Sequence, residues 1–203
     1  QAARIKYSGE APKLRDMILA STDIMGGLAT KVAPVANFAL GLKPTKVVMD
    51  AVLKVDKHRT FPKYASRTFE SWYKKNVKAF QDSFKRHVSF FHGCYVNYNY
   101  PQLGKDLISV MNALGYGVHL LENEKCCGTA LISNRMIDQA KKNAVNNVES
   151  IRKSVYERQM PVIGTSSSCN FTIRDEYPHL LGIDNADVRD YIERATRFIY
   201  RLI

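Results

Sequence analysis

Val118-His119-Leu120-Leu121-Glu122-Asn123-Glu124-Lys125-Cys126-Cys127-Gly128 is the stretch of this 203-residue chain on which the fold turns. Its first four residues read as a short buried strand, and that strand delivers the chain into two adjacent cysteines and a glycine. Adjacent cysteines make poor structural disulfides, because bridging neighbours closes a strained ring. The sulfurs therefore have another use, and the elements around them show where they sit.

Upstream, Val88-Ser89-Phe90-Phe91-His92-Gly93 is an apolar run ending in glycine, a first strand. Between the two strands, residues 106–114 place Leu107, Val110, Met111 and Leu114 on one helical face, stopped by Gly115. Downstream, residues 134–155 carry Ile137, Ala140, Ala144, Val148 and Ile151 at helical spacing, and residues 160–164 read as a third strand. Thr165-Ser166-Ser167-Ser168-Cys169 then opens a short helix expected to close before Pro178, and residues 184–203 predict one last helix with Val188, Tyr191, Ile192, Ala195, Ile199 and Leu202 inward.

Alternating strands and helices predict parallel βαβ units with right-handed crossovers. The fold class is α/β: a small three-stranded parallel sheet with flanking helices, a Rossmann-like half, preceded by an all-helical basic segment. In such a sheet every strand-to-helix loop leaves at the carboxyl edge, where open α/β domains place their ligands. Cys94 follows strand one, Cys126 and Cys127 follow strand two, and Cys169 follows strand three, so the four thiols are expected to converge.

The chain divides into a helical basic segment over 1–87 and a cysteine-rich α/β domain over 88–203. Residues 1–87 carry 17 Lys and Arg against 7 Asp and Glu, whereas residues 88–203 carry 13 against 12. Helical spacing appears over residues 11–28, with Gly26-Gly27 weakening a single continuous helix and Ser21-Thr22-Asp23 offering a cap for a second. Pro34 and Pro44 punctuate the next stretch, residues 45–55 read as a helix, and residues 65–81, with Phe69, Trp72, Tyr73, Val77 and Phe80, as another. This segment shows no chemistry of its own. Its basicity suits an anionic membrane surface, an acidic partner subunit or a solvated face, and no signature of nucleic-acid binding is present.

No apolar run approaches the ~18 residues of a spanning helix. Gln1 is not an initiator Met, and the helical pattern reaches Ile203 without a cap, so both ends are expected to be cut from a longer chain. The cysteine spacing matches no small secreted disulfide framework, which favours a reducing, cytoplasmic setting.

Four converging thiols, with Cys127-Gly128 and Ser168-Cys169 at helix starts that favour thiolates, point to a metal centre. Gly128 would let the backbone approach a bulky inorganic core. An iron–sulfur cluster accepts single, widely spaced cysteines; zinc is the alternative, although structural zinc sites take their cysteines as C-x₂₋₄-C pairs. Four unrelated buried thiols form the remaining reading. His92 could ligate or shuttle protons, but a strand-end histidine more often bonds backbone. Serines 166–168 suit a helix cap, Asn97, Tyr98 and Asn99 the mouth of the site, and Arg174-Asp175-Glu176 helix-surface charge.

Phe91-His92-Gly93-Cys94, Glu124-Lys125-Cys126-Cys127-Gly128, and Thr165-Ser166-Ser167-Ser168-Cys169 followed by Arg174-Asp175-Glu176-Tyr177-Pro178 resemble the CCG cysteine-rich domain of heterodisulfide-reductase-type proteins. With Asn97-Tyr98-Asn99-Tyr100-Pro101-Gln102-Leu103-Gly104-Lys105-Asp106, the whole chain is similar to the C-subunit family of anaerobic glycerol-3-phosphate dehydrogenases. The resemblance implies an iron–sulfur electron-transfer subunit, with a 4Fe-4S type cluster held by Cys94, Cys126, Cys127 and Cys169. Its partners would be flavin-containing catalytic subunits and the quinone pool, at the cytoplasmic face of the bacterial inner membrane. In that family a ferredoxin-like segment precedes this region and a second CCG domain comes after it. The family pattern ends in C-x-x-C, and Ser166 stands at the first of those positions, as an oxygen ligand or a plain substitute. The other implied classes are a docking module without a redox centre and a thiol–disulfide protein. No acid–base set for oxidising glycerol 3-phosphate is recognisable, so the chain alone is expected not to be catalytic.

Overall fold

The computed structural model describes residues 12–203. Ala11, where the first expected helical stretch begins, lies outside the described residues, as does the rest of 1–11. The basic segment forms six helices among the described residues: α1 (Leu14–Ala20), α2 (Thr22–Lys31), α3 (Ala33–Gly41), α4 (Lys43–Leu53), α5 (Phe69–Asn76) and α6 (Lys78–Gln81). Pro34 and Pro44 open α3 and α4 rather than separate loops, since a first-turn proline loses no helical hydrogen bond. α2 runs unbroken through Gly26-Gly27 because Gly26 packs directly on Tyr98, where any side chain would collide with the ring.

The α/β unit continues with β1 (Arg86–Phe91), α7 (Gly93–Tyr98), α8 (Pro101–Ala113), β2 (Tyr116–Leu120), α9 (Thr129–Ser133) and α10 (Ile137–Arg152). It closes with β3 (Val162–Gly164), α11 (Ser167–Phe171), β4 (Ile192–Arg194) and α12 (Ala195–Tyr200). The sheet is entirely parallel, in the order β2-β1-β3-β4. β1 hands the chain outward to β2, and β2 returns it across β1 to β3. The order therefore reverses between β1 and β3, which is where an open α/β sheet leaves a crevice at its carboxyl edge.

Side chains alternate across the sheet. Val88, Phe90, Val118 and Ile163 face Phe69, Tyr73, Ile108, Met111 and Phe198, while Phe91, Val162 and Ile192 face Ala140, Ala144, Val148, Ile151, Ile173 and Tyr177. Each fully buried Phe or Ile in these layers contributes about 1.5–3 kcal/mol. The free edge of β2 is closed by the helical segment. The Val118 N–H donates to Gln81 Oε1 at 2.9 Å, and Tyr73 Oη donates to the Val118 carbonyl at 2.8 Å.

Several expectations need correction. The sheet has four strands, not three. The single helix predicted over 184–203 is replaced by a 3₁₀ turn at Arg189–Tyr191, β4 and the short α12. The backbone beside β3 needs a partner: Val162, Ile163 and Gly164 pair with Ile192, Glu193 and Arg194. Arg174 is no surface charge, because its Nη1 donates to the carbonyls of Arg189 at 2.7 Å and Ile192 at 2.6 Å and pins this turn. The helix expected to stop before Pro178 instead widens into a π-helical run, Thr172–Leu181, with Pro178 inside it. The 65–81 stretch is broken into α5 and α6, and α10 ends in a π turn, Lys153–Glu157.

Candidate metal centre

The three β-to-α loops bring the sulfurs together as the topology requires. Cys94 is the second residue of α7, Cys126 and Cys127 end the loop after β2, and Cys169 lies in α11 after β3. Cys127 Sγ and Cys169 Sγ are 3.3 Å apart, a thiol hydrogen bond rather than a disulfide, and all four cysteines are free. Cys94 Sγ and Cys126 Sγ lie within 4.8 Å of each other and of an Asp23 carboxylate oxygen.

The CCG turn is held by one helix. Along α10, Asn143, Asn146, Asn147 and Ser150 form a polar row on a single face. Asn143 Nδ2 donates to the Cys126 carbonyl at 3.2 Å, Asn146 Nδ2 to the Asn123 carbonyl at 2.6 Å, and Ser150 Oγ to the Glu122 carbonyl at 2.6 Å. Asn147 brackets Lys125, accepting from its N–H and donating to its carbonyl, and also donates to Tyr177 Oη at 3.0 Å. The spacing of this row was present in the sequence, but its polar residues sit next to the apolar stripe and carry no motif. Gly128 turns the chain into α9 at φ +93°, a left-handed conformation that glycine adopts without strain. A β-carbon there would meet Ala140 at an ordinary 3.6 Å, so conformation is what the position demands.

Four sulfurs in contact cannot all ionise independently. They alternate: Cys126 is driven well below the ordinary thiol range by hydrogen bonds from Cys127 and then Cys94, while those two donors are pushed up. Cys169 is likewise lowered by its bond with Cys127, with help from Ser166. Cys126 and Cys169 are thus the thiols whose ionisation the network favours, through hydrogen bonds from neighbours that hold their own protons more tightly. Asp23 is pushed up by burial and then by the Cys126 charge.

The remaining residues divide. Ser166 caps α11, its Oγ accepting from the Cys169 N–H at 3.3 Å. His92 turns to the backbone, its Nδ1 3.0 Å from the Gly93 carbonyl and 3.3 Å from Glu124 Oε1. Asn97 and Tyr98 line a cavity of about 680 Å³ that reaches Cys94 and Cys126, whereas Asn99 donates to the Lys63 carbonyl.

Sequence reasoning assigned no role at the site to Glu124, Asp23 or Thr22. Glu124 accepts from the backbone N–H groups of both His92 and Gly93, at 3.1 and 2.7 Å, and burial raises its carboxyl to about 7. From the basic segment, Asp23 Oδ2 accepts from the Cys126 N–H at 2.9 Å, and Thr22 Oγ1 lies 3.6 Å from Cys126 Sγ. The segment expected to lack chemistry therefore covers the thiols. Glu124 could have been found from its place in the turn; Asp23 stands 103 positions from its partner and gave no signal.

A set of four soft sulfur donors from three rigid loops suits an iron–sulfur centre, and a tetrahedral zinc site would use the same atoms.

Residues 88–174, which hold every cysteine, β2, β3 and all but the first two residues of β1, match the CCG family, a cysteine-rich domain. The chain carries a CCG cysteine-rich domain. Over 201 residues, 99% of its length, it is 54% identical to the C subunit of anaerobic glycerol-3-phosphate dehydrogenase from Escherichia coli strain K12, of which it covers 50%. An uncharacterized iron-sulfur protein of Methanocaldococcus jannaschii is 31% identical over 96 residues, 47% of this chain and 19% of that protein. The B subunit of fumarate reductase (CoM/CoB) from Methanothermobacter marburgensis is 27% identical over 128 residues, 61% of this chain and 25% of that protein. The chain thus spans about half the length of the curated relative it resembles from end to end. No solved structure matches it.

Proposed function

We propose that this chain is an electron-transfer segment of an anaerobic glycerol-3-phosphate dehydrogenase complex, in which Cys94, Cys126, Cys127 and Cys169 hold an iron–sulfur cluster of the 4Fe-4S type. The observation that carries the reading is the convergence of all four sulfurs at the switch point of the sheet, within a chain 54% identical to the C subunit of that dehydrogenase. A bound cluster would supply one-electron chemistry. The protein supplies four sulfur donors, with ionisation favoured at Cys126 and Cys169, a CCG turn fixed by α10, and a cover of α2 that would limit solvent access and so tune potential. Electrons would come from flavin-containing catalytic subunits and go toward membrane quinone. Anaerobic reconstitution followed by iron and sulfide analysis tests the reading: about equal iron and sulfide supports it, stoichiometric zinc selects the structural metal, and neither leaves a docking module or thiol–disulfide chemistry.

A peripheral position at the cytoplasmic face of the inner membrane fits the same reading. No helix of the described residues is long and apolar enough to cross a membrane. Helices α1 to α4 nonetheless expose Leu14, Ile24, Val35, Phe38 and Val52, each more than 60% accessible, within the strongly basic segment. Exposed apolar groups beside lysines are what an anionic lipid surface binds. Co-sedimentation with phosphatidylglycerol vesicles, lost in Val35→Glu/Phe38→Glu, is the expected result; equal recovery with and without vesicles would refute it.

A further inference from the structure

α2 brings a carboxylate to the thiols as well as covering them. One Asp23 carboxylate oxygen, Cys94 Sγ and Cys126 Sγ lie within 4.8 Å of one another, three donors from three separate segments. The placement is fixed from several sides. The Cys126 N–H donates to Asp23 Oδ2, Thr22 beside it touches Cys126 Sγ, and Gly26, one turn on, is packed against Tyr98 of α7. A carboxylate has about four acceptor sites, so the bond from Cys126 leaves capacity for a metal.

The geometry of this trio suits a cation. Two sulfur donors and a carboxylate oxygen gathered this closely present three ligand atoms to one point, and a metal ion there would draw all three into ligation. Iron accepts both sulfur and carboxylate oxygen. The other half of the site is different in kind: Cys127 and Cys169 face each other at 3.3 Å, with the hydroxyl of Thr129 3.3 Å from Cys127 Sγ. The two halves of the centre therefore offer unlike donors.

Resting on the iron–sulfur reading above, we propose that Asp23 is an oxygen ligand of the centre on the Cys94/Cys126 side, so that the basic helical segment contributes a ligand to a site otherwise built by the CCG domain.

The test is ⁵⁷Fe Mössbauer spectroscopy, with iron and sulfide counts, on the anaerobically reconstituted full chain as wild type, Asp23→Asn and Asp23→Glu. The Asn variant keeps size and an oxygen acceptor for the Cys126 N–H but removes the anionic donor. The expected result is a resolved subsite in the wild type with a higher isomer shift than all-sulfur iron, retained in Asp23→Glu and lost in Asp23→Asn. Identical spectra and iron counts in wild type and Asp23→Asn overturn the assignment of Asp23 while leaving the cluster in place. A wild-type spectrum with only all-sulfur subsites overturns it without recourse to any variant. Absence of iron from the wild type overturns the iron–sulfur reading and this inference with it.

Discussion

Asn147 holds Lys125 by both of its backbone groups: Oδ1 accepts from the Lys125 N–H at 2.9 Å and Nδ2 donates to the Lys125 carbonyl at 3.0 Å. This pairing imitates a strand neighbour and fixes the residue just before the two central cysteines. Asn147 is buried, and its Nδ2 also reaches Tyr177 Oη. Asn147→Ala strands part-buried backbone groups and a buried phenol, at a cost on the order of 2 kcal/mol. For a chain of this size that is a fall in Tm of roughly 4–8 °C, read by scanning calorimetry. An unchanged Tm would show that the turn holds itself.

The close seat of α2 makes a contrast between adjacent glycines. A β-carbon on Gly26 would collide with Tyr98 Cδ2, whereas one on Gly27 meets nothing within 4 Å. Gly26→Ala is expected to destabilise by about 1–3 kcal/mol as the ring or helix shifts. Gly27→Ala should be neutral or stabilising by up to about 1 kcal/mol, from helix propensity. Urea titrations of both variants check the difference, and equal midpoints would contradict the packing of α2 on α7.

The fold was legible where its residues pack in one periodicity. Val88–Phe91 and Val118–Leu121 announced strands, and the cysteine after each followed from topology alone. Ile192 was not legible, because an inward residue every three or four positions reads as helix while a three-residue strand offers no alternation to oppose it. Pro178 misled because proline is expected to end an α-helix, and a π-helical run relaxes that constraint. At the site, the four cysteines were visible as chemistry, whereas Asp23 and Asn147 act through long-range contacts that only the folded chain creates.

Acid should loosen the seat of the helical segment. Asp16 of α1 accepts from Arg135 Nη2 at 3.0 Å, and that hydrogen bond holds its carboxyl below the ordinary value of 3.8. A carboxyl depressed on folding stabilises the native state above its unfolded pKa and loses that contribution as pH falls through the folded one. The gap in urea midpoint between wild type and Asp16→Asn should therefore be full near pH 7, and shrink as pH drops from about 4 downward. A gap that is constant or growing over that descent would rule out the ion pair as its source.

Iron and sulfide analysis combined with electron paramagnetic resonance, on the anaerobically reconstituted and reduced chain, tests the central claim most directly. Wild type should bind iron and inorganic sulfide and give a reduced-cluster signal; Cys126→Ser, which removes one of the four converging sulfur donors, should lose both. Ser166→Ala should keep the cluster, since the Ser166 hydroxyl caps α11. A colourless, iron-free wild type, or a cluster that survives intact in Cys126→Ser, would contradict the account.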